Sequence, residues 1–259
     1  MAHFPQLESG CMGQYPLRRT LSLRTYSSES PGGKRRAAFD AGGSTVRWKL
    51  PLTGLSESEA EAIQGLFQAS DGRRRSFMFV DPFANLLGGT DDLAGTLWEK
   101  GPGVVVAGGV RGPDGQAEAC SLANTSGVWS GVSQALAIPE AMNYCMSAWV
   151  RSAGGGSVKL SIGDAQRVVE TGSEWRQAWV SGVDGTSPVQ FMIAAPAGET
   201  VEVYGPQAEA QIAPSEYKRN RGRGGWYPRA RFESNELNLE AEAPGLYGCE
   251  VAIVSPWEE

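Results

Sequence analysis

Only one histidine, His3, and four dispersed cysteines (Cys11, Cys120, Cys145 and Cys249) offer nucleophilic or soft metal-ligating chemistry in this sequence. A serine or cysteine nucleophile needs an imidazole beside it to take its proton, and the single histidine stands at the N-terminus. Zinc needs a cluster of thiolate or imidazole ligands, and no CxxC pair occurs. The cysteines therefore read as buried free thiols, as in proteins assembled inside cells. Glycoside hydrolysis would need only two facing carboxylates. Asp91, Asp92, Glu118, Asp164, Glu170 and Glu174 are scattered, and no spacing singles out a pair. They read as solvated turn and edge groups, and the chain is expected not to be an enzyme.

Binding chemistry is better supplied. Sugar rings stack their C–H faces on indole and phenol rings, and Trp129, Tyr144, Trp149, Trp175, Trp179 and Tyr204 are available for that. On the strand 143–151, alternation groups Tyr144, Met146, Ala148 and Val150 as core and sets Cys145, Ser147, Trp149 and Arg151 opposite. Trp149 and Arg151 are candidate carbohydrate contacts on the non-core face. The alternative is that Trp149 packs on a neighbouring loop, another domain or another subunit. Trp129, in a Gly/Ser loop (TSGVWSG), is a third candidate or a loop anchor, whereas Trp175 begins a strand and reads as core.

The net charge of −6 argues against a general nucleic-acid binder, because phosphate binding needs positive charge. One stretch runs against that balance: Lys218, Arg219, Arg221, Arg223, Arg229 and Arg231, interleaved with glycines and Trp226-Tyr227. It resembles single-strand-binding segments, but reads better as a flexible linker whose arginines pair with acids of an adjacent subunit. No window approaches the ~18 consecutive apolar residues of a membrane helix. The start MAHFPQLESG lacks a signal peptide's basic and apolar regions, so a soluble protein made in the cytoplasm is expected.

The elements that must position these groups are mostly strands. With 259 residues, 34 Gly and 15 Pro, one or two turn-rich β domains are expected. Leu17–Tyr26 reads as an early strand, Pro31-Gly32-Gly33 as a turn, and Thr45–Leu50 as a half-buried strand with Val46, Trp48 and Leu50 on one face. Ser56 and Glu59 form a capping box ahead of a short helix with Ala60, Ile63, Leu66 and Phe67 on one side. Ser76–Val80 is a short apolar strand. From Gly88 the chain becomes Gly-, Ser-, Ala- and Val-rich, with eight strand candidates: 103–108, 117–122, 132–138, 143–152, 157–162, 177–183, 189–194 and 200–207. That number suits a two-sheet jelly roll. After Ser215 a basic stretch leads to strands near 230–232, 235–241 and 249–255. So short a tail cannot hold a core alone and must pack on the first segment.

Two resemblances follow. The first segment resembles the N-terminal domain of phage distal tail proteins, gene transfer agent relatives included. It does so through FPQL at 4–7, Thr45–Leu50 with Trp48, the acidic helix running into LFQASDGRRRSF (66–77), and FVDPFANLL (79–87). The middle resembles the carbohydrate-binding-module-like jelly rolls of phage tail and baseplate proteins. Its marks are Asn85-Leu86-Leu87, NYCMSAWVRS (143–152), Glu174-Trp175-Arg176 and YGPQAEAQIAPSEY (204–217). Ala208 stands where that pattern usually has Leu, and Ala210 where Gly is common.

The resemblance implies a mainly β chain: a split distal-tail-type β-sandwich with one short helix, residues 1–84 and 216–259, carrying an inserted jelly-roll β-sandwich at 85–215. It implies a structural virion protein forming a hexameric ring at the distal end of the tail tube. The insert would project and bind a host surface glycan. The implied partners are further copies of the chain, the tail tube protein and a tail-tip or baseplate hub protein, with no membrane and no specific nucleic acid. The implied location is the virion tail, after assembly in the host bacterial cytoplasm. No cofactor is implied, apart from a structural calcium that Asp91, Asp92, Asp114 and backbone carbonyls could hold. The alternative is a non-ring tail or surface glycan-binding protein without catalytic activity.

Overall fold

The computed structural model describes residues 2–257, Ala41 by its backbone alone. In chain order the first elements are β1 (Arg18–Glu29), β2 (Arg35–Leu55), α1 (Glu57–Ala69) and β3 (Phe77–Val80). Ten strands follow: β4 (Glu99–Lys100), β5 (Val104–Val110), β6 (Ala119–Asn124), β7 (Ser130–Leu136), β8 (Tyr144–Arg151), β9 (Gly156–Ile162), β10 (Ala165–Thr171), β11 (Arg176–Gly182), β12 (Val189–Ala195) and β13 (Thr200–Glu209). The chain ends with β14 (Trp226–Phe232), β15 (Leu239–Ala243) and β16 (Leu246–Pro256). The protein is mainly β, with sandwich-like sheets. It divides into two compact units, Met1–Phe79 with Tyr227–Glu259, and Val80–Trp226.

In the first unit the sheet order is β1-β2-β16-β14-β3, with β15 hung from β16. Alternation along β2 buries Val46, Trp48, Leu50 and Leu52, and the register sets Trp48 against Ile253 and Leu50 against Val251 of β16. An aromatic cluster fills the centre. Trp48 lies 4.8 Å from Phe79 and 4.6 Å from Tyr227, and Phe232 lies 4.8 Å from Phe77 and 5.1 Å from Phe67. Tyr227 and Phe232 come from the returning chain, which cannot fold on so short a length alone. The capping box forms as read: the Ser56 N–H donates to Glu59 Oε2 at 2.8 Å, and the Glu59 N–H to Ser56 Oγ at 3.3 Å.

Two readings change here. β1 and β2 are longer than their alternation indicates. They continue as a two-stranded arm in which every residue from Leu23 to Phe39 is exposed. With neither face buried, no period of two marks the arm in the sequence.

The second unit is a sandwich of two five-stranded antiparallel sheets, β10-β9-β12-β7-β4 and β11-β8-β13-β6-β5. Tyr144, Met146, Ala148 and Val150 of β8 are buried, as are Val158, Leu160 and Ile162 of β9 and Phe191 and Ile193 of β12. Tyr144 and Phe191 meet edge to face at 5.8 Å. β4 and β10 are additional to the eight expected strands. β4 has two residues, and β10 (AQRVVET) is a largely exposed edge strand.

This unit also extends past the expected boundaries at 85 and 215. Asn85 explains why. Its Nδ2 donates to the Pro206 and Lys218 carbonyls at 2.9 and 3.1 Å, and its Oδ1 accepts from the Leu87 and Ala208 N–H groups at 3.1 and 3.0 Å. Asn220 Nδ2 donates to the carbonyls of Leu87 and Arg223 at 3.0 and 2.7 Å. The stretch expected to be a flexible linker is thus sewn to the first residues of the sandwich. A Cβ at Gly224 would stand 1.8 Å from the Leu86 carbonyl oxygen, so the glycine serves close backbone approach. Lys218 pairs with Glu209, Arg219 with Glu118 and Arg221 with Asp91. These partners are acids of the same chain, where acids of an adjacent subunit were expected.

Candidate functional site

β8 runs through its sheet with β11 on one side and β13 on the other. Its outward residues are Cys145, Ser147, Trp149 and Arg151. The register places Gln177 and Tyr204 on either side of Trp149, and Glu202 beside Arg151. The lower half of this face is closed. Cys145, Ser147, Gln207 and Glu209 are buried. The buried Glu209 carboxylate accepts from the Gln207 amide at 2.8 Å, the Ser215 N–H at 3.0 Å and the Lys218 ammonium. A buried carboxylate is retained only with such partners.

The upper half is open. Trp149, Trp175 and Tyr204 are half-buried, and the Arg151 and Glu202 side chains are 29% and 28% exposed. Arg151 organises them. Its guanidinium carbon lies 4.6 Å from the Trp175 ring centroid, within cation–π range, and its Nε donates to the Glu202 carboxylate. Trp175 and Tyr204 meet near-perpendicular at 6.5 Å, and Tyr204 packs on Tyr217 at 5.5 Å. The Tyr204 hydroxyl donates to Asp114 Oδ2 at 2.9 Å. Burial first, then this hydrogen bond, pushes the Tyr204 phenol up to about 12. The Gln116 N–H first, then the Tyr204 hydroxyl, holds Asp114 below the usual carboxylate range. Asp114 is therefore an ionised acceptor, unsuited to protonating a leaving group.

Of the three candidate residues, the structure brings together Trp149 and Arg151. Trp129 stands apart. It is 37% exposed, precedes β7 of the other sheet, and has Lys159 Nζ 5.2 Å from its ring centroid. Trp175, expected in the core, belongs to the open face instead, because Arg151 offers its ring a cation in place of apolar packing. Tyr204 and Glu202 join them through β-pairing between distant segments, which leaves no local mark. The acids considered for calcium are engaged separately: Asp91 by Arg221 at 2.7 Å, Asp92 by the Ala94 N–H at 3.1 Å, and Asp114 as above. Among the described residues no group of three or more His, Cys, Asp or Glu could hold a metal ion.

No family model and no curated protein sequence matches the chain. Among solved structures it is similar to a xylan-binding domain of carbohydrate-binding module family 22 from Paenibacillus barcinonensis, with 11% identity over 50% of this chain and 94% of that one, and a TM-score of 0.41. It is also similar to the C-terminal family 22 module of Clostridium thermocellum Xyn10B, with 13% identity over 52% and 99%, and a TM-score of 0.41. A third is the enzymatically active domain of tailspike protein 4 of bacteriophage CBA120, with 10% identity over 51% of this chain and 22% of that one, and a TM-score of 0.36. Likenesses this distant carry no functional argument, which rests on the residues above.

Proposed function

We propose that this chain is a non-catalytic structural protein of a long-tailed phage or phage-like particle. It forms a ring at the distal end of the tail tube and presents the sandwich 80–226 as a module that binds a host surface glycan. The observation that carries the glycan reading is the half-exposed face on which Trp149, Trp175 and Tyr204 gather around the Arg151–Glu202 pair. Aromatic faces supply stacking surface for pyranose C–H groups, and the fixed cation, carboxylates and phenol supply directional partners for hydroxyls. The ring reading is supported by the resemblance of residues 4–87 to distal tail proteins and by an exposed arm in the first unit. Its partners would be the tube protein and a tip or baseplate hub.

The same face also favours a second reading, a glycan-binding protein that forms no ring, because nothing in the face requires oligomers. An array of bacterial capsule, cell-wall and lipopolysaccharide glycans tests the binding. Retention on at least one glycan class is expected, and retention on none overturns the module's role. Mass photometry separates the two readings by oligomer mass.

A further inference from the structure

The arm of β1 and β2 is built for contact. Leu23, Tyr26 and Phe39 are 57%, 60% and 46% exposed, and a two-stranded ribbon with both faces in water is marginal without a partner. Its tip is basic. Lys34, Arg35 and Arg36 are exposed and, among the described residues, make no ion pair.

The same unit carries the complementary surface. A groove of about 440 Å³ lies beside β15 and β16, with Phe67 and Phe232 among its apolar walls and Glu236, Glu240, Glu242 and Glu250 along it. Glu250 pairs with Lys49, and Glu242 accepts the Gly54 N–H. Glu236 and Glu240 are exposed and, among the described residues, have no cationic partner.

We propose that the arm of one copy docks in the acidic groove of the next. Within one chain, β2 sets the two surfaces apart. It carries Arg35 and Arg36 at one end and the groove residues Pro51–Thr53 at the other. Measured along the paired residues Glu29 to Arg18 of β1, at about 3.3 Å per residue and past the register shift in β2 at 41–44, these lie roughly 45 Å apart along the sheet. A contact between opposite ends of the unit is head-to-tail, the interface type that generates rings. The inference rests on the ring reading and assigns its interface.

The test is charge reversal in the full chain. Arg35→Glu/Arg36→Glu and, separately, Glu236→Lys/Glu240→Lys are each expected to raise the half-assembly concentration about tenfold or more in mass photometry, by setting like charges together. The combined four-site variant is expected to restore assembly. Carbodiimide coupling should join Lys34 of one copy to Glu236 or Glu240 of another, as read by peptide mass spectrometry. Folding of each variant is checked by its melting temperature, which should match the wild type because all four sites are exposed. Assembly that is indifferent to both reversals overturns the arm-in-groove contact and leaves the ring reading standing. A wild-type chain monomeric at every concentration overturns both.

Discussion

Arg151 holds three things at once: a stacked indole, a carboxylate on the adjacent strand and its own place on an otherwise apolar-backed strand. A planar guanidinium can do this and a lysine ammonium cannot. The outward alternation of Trp149 and Arg151 was legible from β8 alone. Trp175 was misread because one strand cannot show what cation will meet a ring from its neighbour. The thiols behave differently. Burial pushes the Cys145 thiol up to about 12 and Cys249 to about 11, and raises Cys120, while Cys11 is half-buried. Because the thiolate is the reactive form, a thiol-exchange assay on native protein near pH 8 should show one fast cysteine, Cys11. The other three should appear only on unfolding. Fast reaction of more than one thiol in the native state would contradict the burial.

At the scale of elements, the segment 216–226 decides where the sandwich ends. Its Gly-Arg texture reads as a flexible linker, because the groups that fix it, Asn85, Leu87, Thr90, Asp91 and Glu118, stand more than a hundred residues earlier in the chain. The short Asn-Leu-Leu lead-in was visible, but the four hydrogen bonds of the asparagine were not. Replacing Asn85 by Ala leaves the Leu87 and Ala208 N–H groups without their side-chain acceptor. At about 1–3 kcal/mol for each buried polar group left unpaired, Asn85→Ala should destabilise the protein by about 2–6 kcal/mol. Thermal and urea unfolding measure this, and a loss below about 0.5 kcal/mol would contradict the asparagine's role as acceptor for these two groups. The capping box and the core faces of β2 and β8 were readable because each is a local pattern. The arm was not, because a strand exposed on both faces carries no alternation.

On the scale of the whole chain, the change of texture near Gly88 and the reversion after Ser215 correspond to a passage out of one unit and back. The structure sets the limits at Phe79/Val80 and Trp226/Tyr227. The first unit presents two unsatisfied surfaces, its basic arm and its acidic groove, and the second presents one, its aromatic face around Arg151. The division of labour proposed here, assembly by one and attachment by the other, follows from those surfaces.

The most direct test of the account is calorimetric titration of the full chain and its Trp175→Ala variant with the strongest glycan from the array. Trp175 is half-exposed, so its removal should take away a stacking face while sparing the core. Aromatic stacking of this kind is worth about 1–3 kcal/mol, by analogy with base stacking. The predicted result is a roughly 5- to 150-fold weaker affinity with a melting temperature within a few degrees of the wild type. Unchanged affinity, or a loss of binding matched by a collapse in melting temperature of the kind a core tryptophan gives, at about 3–5 kcal/mol, would contradict the assignment of this face.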